Sequence, residues 1–211
     1  MERFSLSVSD VLWLRALVPL GVRFVQLRIK DRDAAETRAQ IRAAREVCAA
    51  HNCQLVVNDY WQIALEEGCD FVHLGQEDMD SADFTALRRA GVRFGLSTHD
   101  ETELDRALDK GPAYVALGPV YPTLLKKMKW GPQGLDRVRD WKARAGKVPL
   151  VAIGGLTPER LPGVFAAGAD SAAVVTDIQR AADPLARTAE WSAACDAADL
   201  TPACAATPAR K

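Results

Sequence analysis

Eight short runs rich in Val, Ile, Leu and Phe recur along this 211-residue chain, and helix-like stretches separate most of them. That alternation limits the fold more than any other feature, because strict β–α repetition favours a parallel sheet with right-handed crossovers. The expected strands are Phe4–Val8, Arg23–Ile29, Gln54–Asn58, Phe71–Leu74, Arg93–Ser97, Ala113–Leu117, Leu150–Ile153 and Ser171–Val175. They show little polar alternation, as strands covered on both faces do. The expected helices are Ala34–Ala50, Trp61–Glu67, Ala82–Ala90, Glu101–Lys110, Leu135–Arg144 and Pro158–Ala167. Gly68, Gly91, Gly111 and Gly168 each close a helix ahead of the next strand. Thr157 before Pro158 reads as a helix cap, and Arg38, Arg42 and Arg45 as one solvated helix face. Eight such units close into a single-domain α/β TIM (β/α)8 barrel, with an open doubly wound sheet as the alternative.

After about Cys195 the chain turns Ala-rich, with Pro202 and Pro208 and no strand pattern. We read residues 1–194 as the barrel domain and 195–211 as a frayed or disordered extension. Lys and Arg number 27 against 28 Asp and Glu, a balance that argues against a generic nucleic-acid binder. No apolar run approaches a membrane span and no secretory signal is visible, so a soluble cytoplasmic protein is expected. The five cysteines at 48, 53, 69, 195 and 204 form no zinc-ribbon pairs and read as small buried residues.

In a barrel of this kind chemistry sits at the C-terminal ends of the strands. The second run ends with Gln26, Arg28 and Lys30 on alternate positions, and hence on one face. Two cations and an amide there suit a phosphate-bearing ligand. The third ends in Asn58 and Asp59, and the fourth runs into Glu77 and Asp78. Paired carboxylates beside cations suit Mg²⁺, which takes one or two carboxylates and completes its shell with phosphate and water. General acid–base work by the same groups is the other option. Asp59 and Asp78 rank above Glu77, which a surface role fits as well. At the fifth end Ser97 is a better contact than His99, which reads as a helix-start or packing residue. The loop after the sixth run is long and carries Lys126, Lys127 and Lys129 near Trp130, the kind of segment that is commonly functional. Gly154 and Gly155 after the seventh run, with Thr176 after the eighth, match the recurrent phosphate site of the fold. These residues describe two anion sites, one metal-assisted and one metal-free. We identify no activated Ser or Cys with a partner base, which argues against covalent catalysis.

Taken in order, QLRIK, the ND of VVNDYWQIAL, DFVHLGQED, GLSTH, YVALGPVYPT with the following Lys, VAIGG and AAVVT resemble the thiamine-phosphate synthase (thiamine-phosphate pyrophosphorylase) family. The resemblance runs from about residue 4 to 180 and implies a TIM barrel. It implies an enzyme joining 4-amino-2-methyl-5-hydroxymethylpyrimidine diphosphate to 4-methyl-5-(2-phosphoethyl)thiazole, with release of diphosphate. By that resemblance Gln26, Arg28, Lys30, Asn58, Ser97 and Lys126 hold the pyrimidine diphosphate. Arg28, Lys30, Lys126 and Ser97 are the catalytic set, and Asp59 and Asp78 bind Mg²⁺. Thr123, Gly155, Val175 and Thr176, with the position of Leu125, hold the thiazole phosphate. The implied partners are these two small molecules, not nucleic acid or membrane, and a homo-oligomer is compatible.

The sequence departs from the family pattern twice. Leu125 stands where the Thr-x-Thr-Lys pattern has its second threonine, and Thr176 where serine is usual. The first removes a hydroxyl; the second keeps one. A thiazole tautomerase-like barrel and a non-catalytic thiamine-precursor binder are the alternatives. The first should not need the set of Arg28, Lys30, Asn58, Asp59, Asp78 and Lys126 that this chain retains, and the intact carboxylates argue against the second.

Overall fold

A computed structural model describes residues 1–123 and 130–200. The eight strands pair in sequence order and β1 closes on β8, all in parallel, so the sheet is a closed barrel. The strands are β1 (Phe4–Val8), β2 (Phe24–Leu27), β3 (Gln54–Asn58), β4 (Phe71–Leu74), β5 (Arg93–Thr98), β6 (Tyr114–Leu117), β7 (Leu150–Ile153) and β8 (Ser171–Val174). The helices are α1 (Val11–Leu17), α2 (Ala34–Ala50), α3 (Trp61–Glu66), α4 (Gln76–Ser81), α5 (Phe84–Arg89), α6 (Glu101–Asp109), α7 (Gly134–Ala145), α8 (Leu161–Ala166), α9 (Thr176–Gln179) and α10 (Pro184–Leu200). The barrel expectation holds.

Side-chain alternation divides the core in two. Outward residues such as Leu6, Val25, Val57, Leu74, Leu96 and Leu117 join the helices in one continuous apolar layer. Inward residues Phe24, Val56, Phe71, Tyr114, Ala116, Val151 and Ala173 fill the barrel as a separate cluster. Fully burying one such aliphatic or aromatic side chain stabilises the fold by about 1.5–3 kcal/mol. Thr98 points outward and is fully buried. Its Oγ1 donates to the Ala116 carbonyl at 2.9 Å and accepts from Trp141 Nε1 at 2.8 Å, fastening β5 to β6 and α7.

Several local expectations need correction. Arg38, Arg42 and Arg45 are not simply a solvated face: they converge on the end of α3, where Arg42 Nε meets Glu67 Oε2 at 2.5 Å and Arg45 donates to the Glu67 carbonyl. Those guanidinium groups hold the Glu67 carboxyl below its ordinary value. Thr157 occupies the cap position without a capping hydrogen bond. The chain expected to fray from Cys195 is helical to Leu200, with Cys195 buried. Helix α10 is anchored from outside its own sequence: Trp191 stacks on Phe4 and donates to Asp177, which also binds Arg187. The rest of the tail, 201–211, lies outside the described residues.

Candidate active site

Strands β2, β3 and β4 deliver charge to one side of the barrel mouth. Asp59 directly follows β3 and adopts φ +66°, a left-handed conformation that side chains other than Gly, Asn and Asp seldom take. Its amide donates to the His73 carbonyl at 2.9 Å, keeping the turn against β4. Its carboxylate accepts from Lys30 Nζ at 2.6 Å and is hydrogen-bonded to Asp78. Asp78 lies in the first turn of α4, where its Oδ2 also caps the Gly75 amide at 3.2 Å. Burial and the Asp59 charge raise the Asp78 carboxyl above its ordinary value, against smaller opposing effects of Gly75 and Lys30. Glu77 on the same turn is exposed, which separates the two acidic residues as expected. Two carboxylates in contact require a proton or a cation between them, and this pair has the hard-oxygen chemistry that Mg²⁺ prefers. Among the described residues no larger cluster of metal-ligating side chains occurs.

Below the carboxylates lies a residue not singled out from the sequence as functional. His73 points into the barrel from β4, with Nδ1 2.8 Å from the Tyr114 hydroxyl and Nε2 2.8 Å from Ser97 Oγ. Burial lowers its imidazole to about 4, with the Asp59 and Arg28 charges acting in opposite directions. It is therefore neutral at neutral pH. The expectation of no serine beside a base is thus corrected in geometry, although a histidine this reluctant to protonate is a poor proton acceptor. The available signal was its place on the inward face of β4, between Phe71 and Gly75. Gln26 makes the Tyr114 phenol more acidic against the effect of burial, and its Oε1 accepts from Ser7 Oγ at 3.2 Å. Gln26 thus belongs to a network inside the barrel. Asn58 is buried at the end of β3, paired in register with His73. Arg28 is exposed at the rim, held through its backbone amide to the Val8 carbonyl.

On the other side of the mouth the loops after β6 and β7 lie against each other. Gly154 and Gly155 have φ +100° and +63°, and a Cβ would stand 2.7 Å from Pro119 Cα at the first and 2.4 Å from the Pro122 carbonyl at the second. Both glycines are thus required by loop packing, whatever else they do. Val175 precedes α9, whose first residue is Thr176, and Thr123 is half-buried. Leu125 and Lys126 lie outside the described residues. His99 behaves as a packing residue: its Nδ1 is 2.8 Å from Glu103 and its ring stacks on Trp130. The geometry therefore brings Lys30, Asp59 and Asp78 into contact and Ser97 beside them through His73; it places Thr123, Gly155, Val175 and Thr176 on the loops after β6, β7 and β8.

A family profile described as thiamine monophosphate synthase matches residues 5–178 of this chain. The chain belongs to that family. It is 60% identical over 194 residues to the thiamine-phosphate synthase of Rhizobium etli, covering 92% of this chain and 95% of that protein. Against the thiamine-phosphate synthase of Klebsiella pneumoniae it is 45% identical over 189 residues, 90% of this chain and 86% of the relative. Among solved structures it resembles the thiamine phosphate pyrophosphorylase of Pyrococcus furiosus, with a TM-score of 0.81 at 26% identity over 93% of this chain and 96% of that one. As a member of the thiamine monophosphate synthase family the chain is an enzyme, a transferase of thiamine biosynthesis. Among the described residues no helix is long and apolar enough to cross a membrane.

Proposed function

We propose that the chain condenses 4-amino-2-methyl-5-hydroxymethylpyrimidine diphosphate with 4-methyl-5-(2-phosphoethyl)thiazole to give thiamine phosphate and diphosphate. The observation that carries this reading is the contact of Lys30, Asp59 and Asp78 at the mouth, opposite the loops after β6, β7 and β8. The bond between the pyrimidine methylene and diphosphate breaks first, and both electrons leave with the diphosphate. The ring amino group spreads the resulting positive charge, and the thiazole nitrogen then closes the new carbon–nitrogen bond.

Such a reaction needs charge neutralisation on the leaving group and alignment of two substrates, not a nucleophile. Arg28 and Lys30 supply cations at the rim, joined in this proposal by Lys126, while Gln26, Asn58 and Ser97 hold the pyrimidine. Thr123, Gly155, Val175 and Thr176 hold the thiazole phosphate, the last two partly through backbone groups. Asp59 and Asp78 would hold Mg²⁺, which supplies Lewis-acid stabilisation of diphosphate. Exclusion of water keeps the cation from being trapped.

The test is a coupling assay with both substrates and Mg²⁺, reading thiamine phosphate after conversion to fluorescent thiochrome. Product that disappears with EDTA supports the reading. No product from folded protein that still binds the thiazole phosphate would favour a tautomerase-like or non-catalytic barrel.

A further inference from the structure

The Ser97 hydroxyl stands at the end of a hydrogen-bond chain that crosses the barrel interior from β1. Ser7 donates to Gln26 Oε1, which leaves the Gln26 amide nitrogen to face Tyr114, whose phenol Gln26 makes more acidic against the effect of burial. With an amide N–H facing its oxygen, the Tyr114 phenol has its single proton left for His73 Nδ1, 2.8 Å away. An imidazole that accepts at Nδ1 carries its proton on Nε2, and Nε2 lies 2.8 Å from Ser97 Oγ. Ser97 then accepts on oxygen, and its own proton is turned away from His73. The pieces are held rigidly. The His73 and Tyr114 rings stack at 5.5 Å and 17°, and Tyr114 fills a slot that only Gly95 leaves open, since a Cβ there would fall 2.1 Å from the ring.

We propose that Tyr114 and His73 are positioning residues that fix Ser97 as a hydrogen-bond donor toward an acceptor atom of the pyrimidine substrate. The opposite arrangement is the other neutral tautomer, with Nδ1–H donating to the phenol oxygen, Ser97 donating to Nε2 and the Tyr114 proton turned away from His73. The identity of the acceptor rests on the proposed function; the direction of the chain does not.

Two measurements decide it. The first is nitrogen NMR of ¹⁵N-histidine-labelled protein without substrate: a neutral His73 protonated on Nε2 is expected, and an Nδ1–H tautomer would overturn the proposal. The second compares kcat/KM for Ser97→Ala, His73→Asn, His73→Gln and the Ser97→Ala/His73→Asn pair, each checked for native circular dichroism. Loss of one hydrogen bond that leaves the substrate acceptor unpaired predicts an about 5- to 100-fold fall for Ser97→Ala. His73→Asn, whose amide replaces Nδ1, should lose as much, and the double variant no more than either. His73→Gln, which presents an N–H where Nε2 stood, should recover most of the loss. Losses that multiply in the double variant, or a Gln variant as poor as Asn, would overturn the proposal. If the wild type makes no thiamine phosphate, the substrate assignment falls, while the tautomer still decides the direction of the chain.

Discussion

The two ends of the barrel treat charge in opposite ways. At the N-terminal floor a concavity of about 860 Å³ is lined by Arg23, Arg93, Phe24, Phe71 and Tyr114, among others. Its cations have ordinary partners: Arg23 donates to the His51 carbonyl at 2.7 Å, and Arg93 meets Asp70 at 2.9 Å while lying over the Phe71 ring. At the C-terminal mouth two carboxylates are held against each other, Asp59 takes a left-handed backbone, and a neutral histidine is buried beneath. At the floor each of these cations is matched with a partner of its own. The groups at the mouth are arranged at a cost to stability, the pattern expected where a ligand completes the site.

Breaking the mouth should have the largest effect on turnover and little on folding. Asp59→Ala and Asp78→Ala are each expected to lower thiochrome-detected turnover by about 10²–10³-fold or more with unchanged circular dichroism. Normal activity in both would remove the metal assignment. The opposite pattern is expected away from the mouth. Thr98→Val, which strips the hydroxyl from Trp141 and the Ala116 carbonyl, should lower stability by about 1–3 kcal/mol in urea unfolding. Activity per folded molecule should stay within about twofold, since Thr98 faces the helices.

Asp78→Asn sharpens the contrast, because one substitution should act in both directions. Its carboxyl is raised above 3.8 in the folded chain, so ionisation of Asp78 weakens the metal-free protein as pH rises through the folded value. Removing the charge should therefore raise Tm at pH 7 in EDTA by about 2–4 °C, for a solvent-screened gain of roughly 1 kcal/mol or less. The gain should vanish below pH 3.8, where both states hold the proton. A lower Tm at pH 7 would contradict the unfavourable pairing. The smallest effect is expected at the thiazole side: Leu125→Thr should leave turnover similar or lower KM for the thiazole phosphate, and a large loss would show that the loop uses another geometry.

Much of the barrel was legible in the sequence, because apolar runs and glycine returns are local signals. The bounds of β1, β3, β4 and β7 match the expected runs, and β2 is shorter because the chain leaves the ladder as it reaches the rim. Helix α10 was not legible, since its Ala-rich end reads as tail and what orders it is Asp177, Arg187 and Phe4. At the mouth the identities of Lys30, Asp59, Asp78 and Ser97 could be read from strand ends. The approach of Asp59 to Asp78 was legible too, from the adjacency of their strands, whereas the left-handed turn that seats Asp59 was not. His73 and Tyr114 were missed for a related reason: an inward polar residue in a run such as FVHL looks like core until its partners on other strands are known.

The central claim is that the Asp59–Asp78 pair binds a divalent cation together with diphosphate. The direct test is a Mn²⁺ titration, followed by electron paramagnetic resonance, of the full chain with inorganic diphosphate. Saturable binding that Mg²⁺ displaces, and that Asp59→Ala and Asp78→Ala both lose, is the predicted result. Binding of equal strength in the wild type and both variants, or none in the wild type, would contradict it.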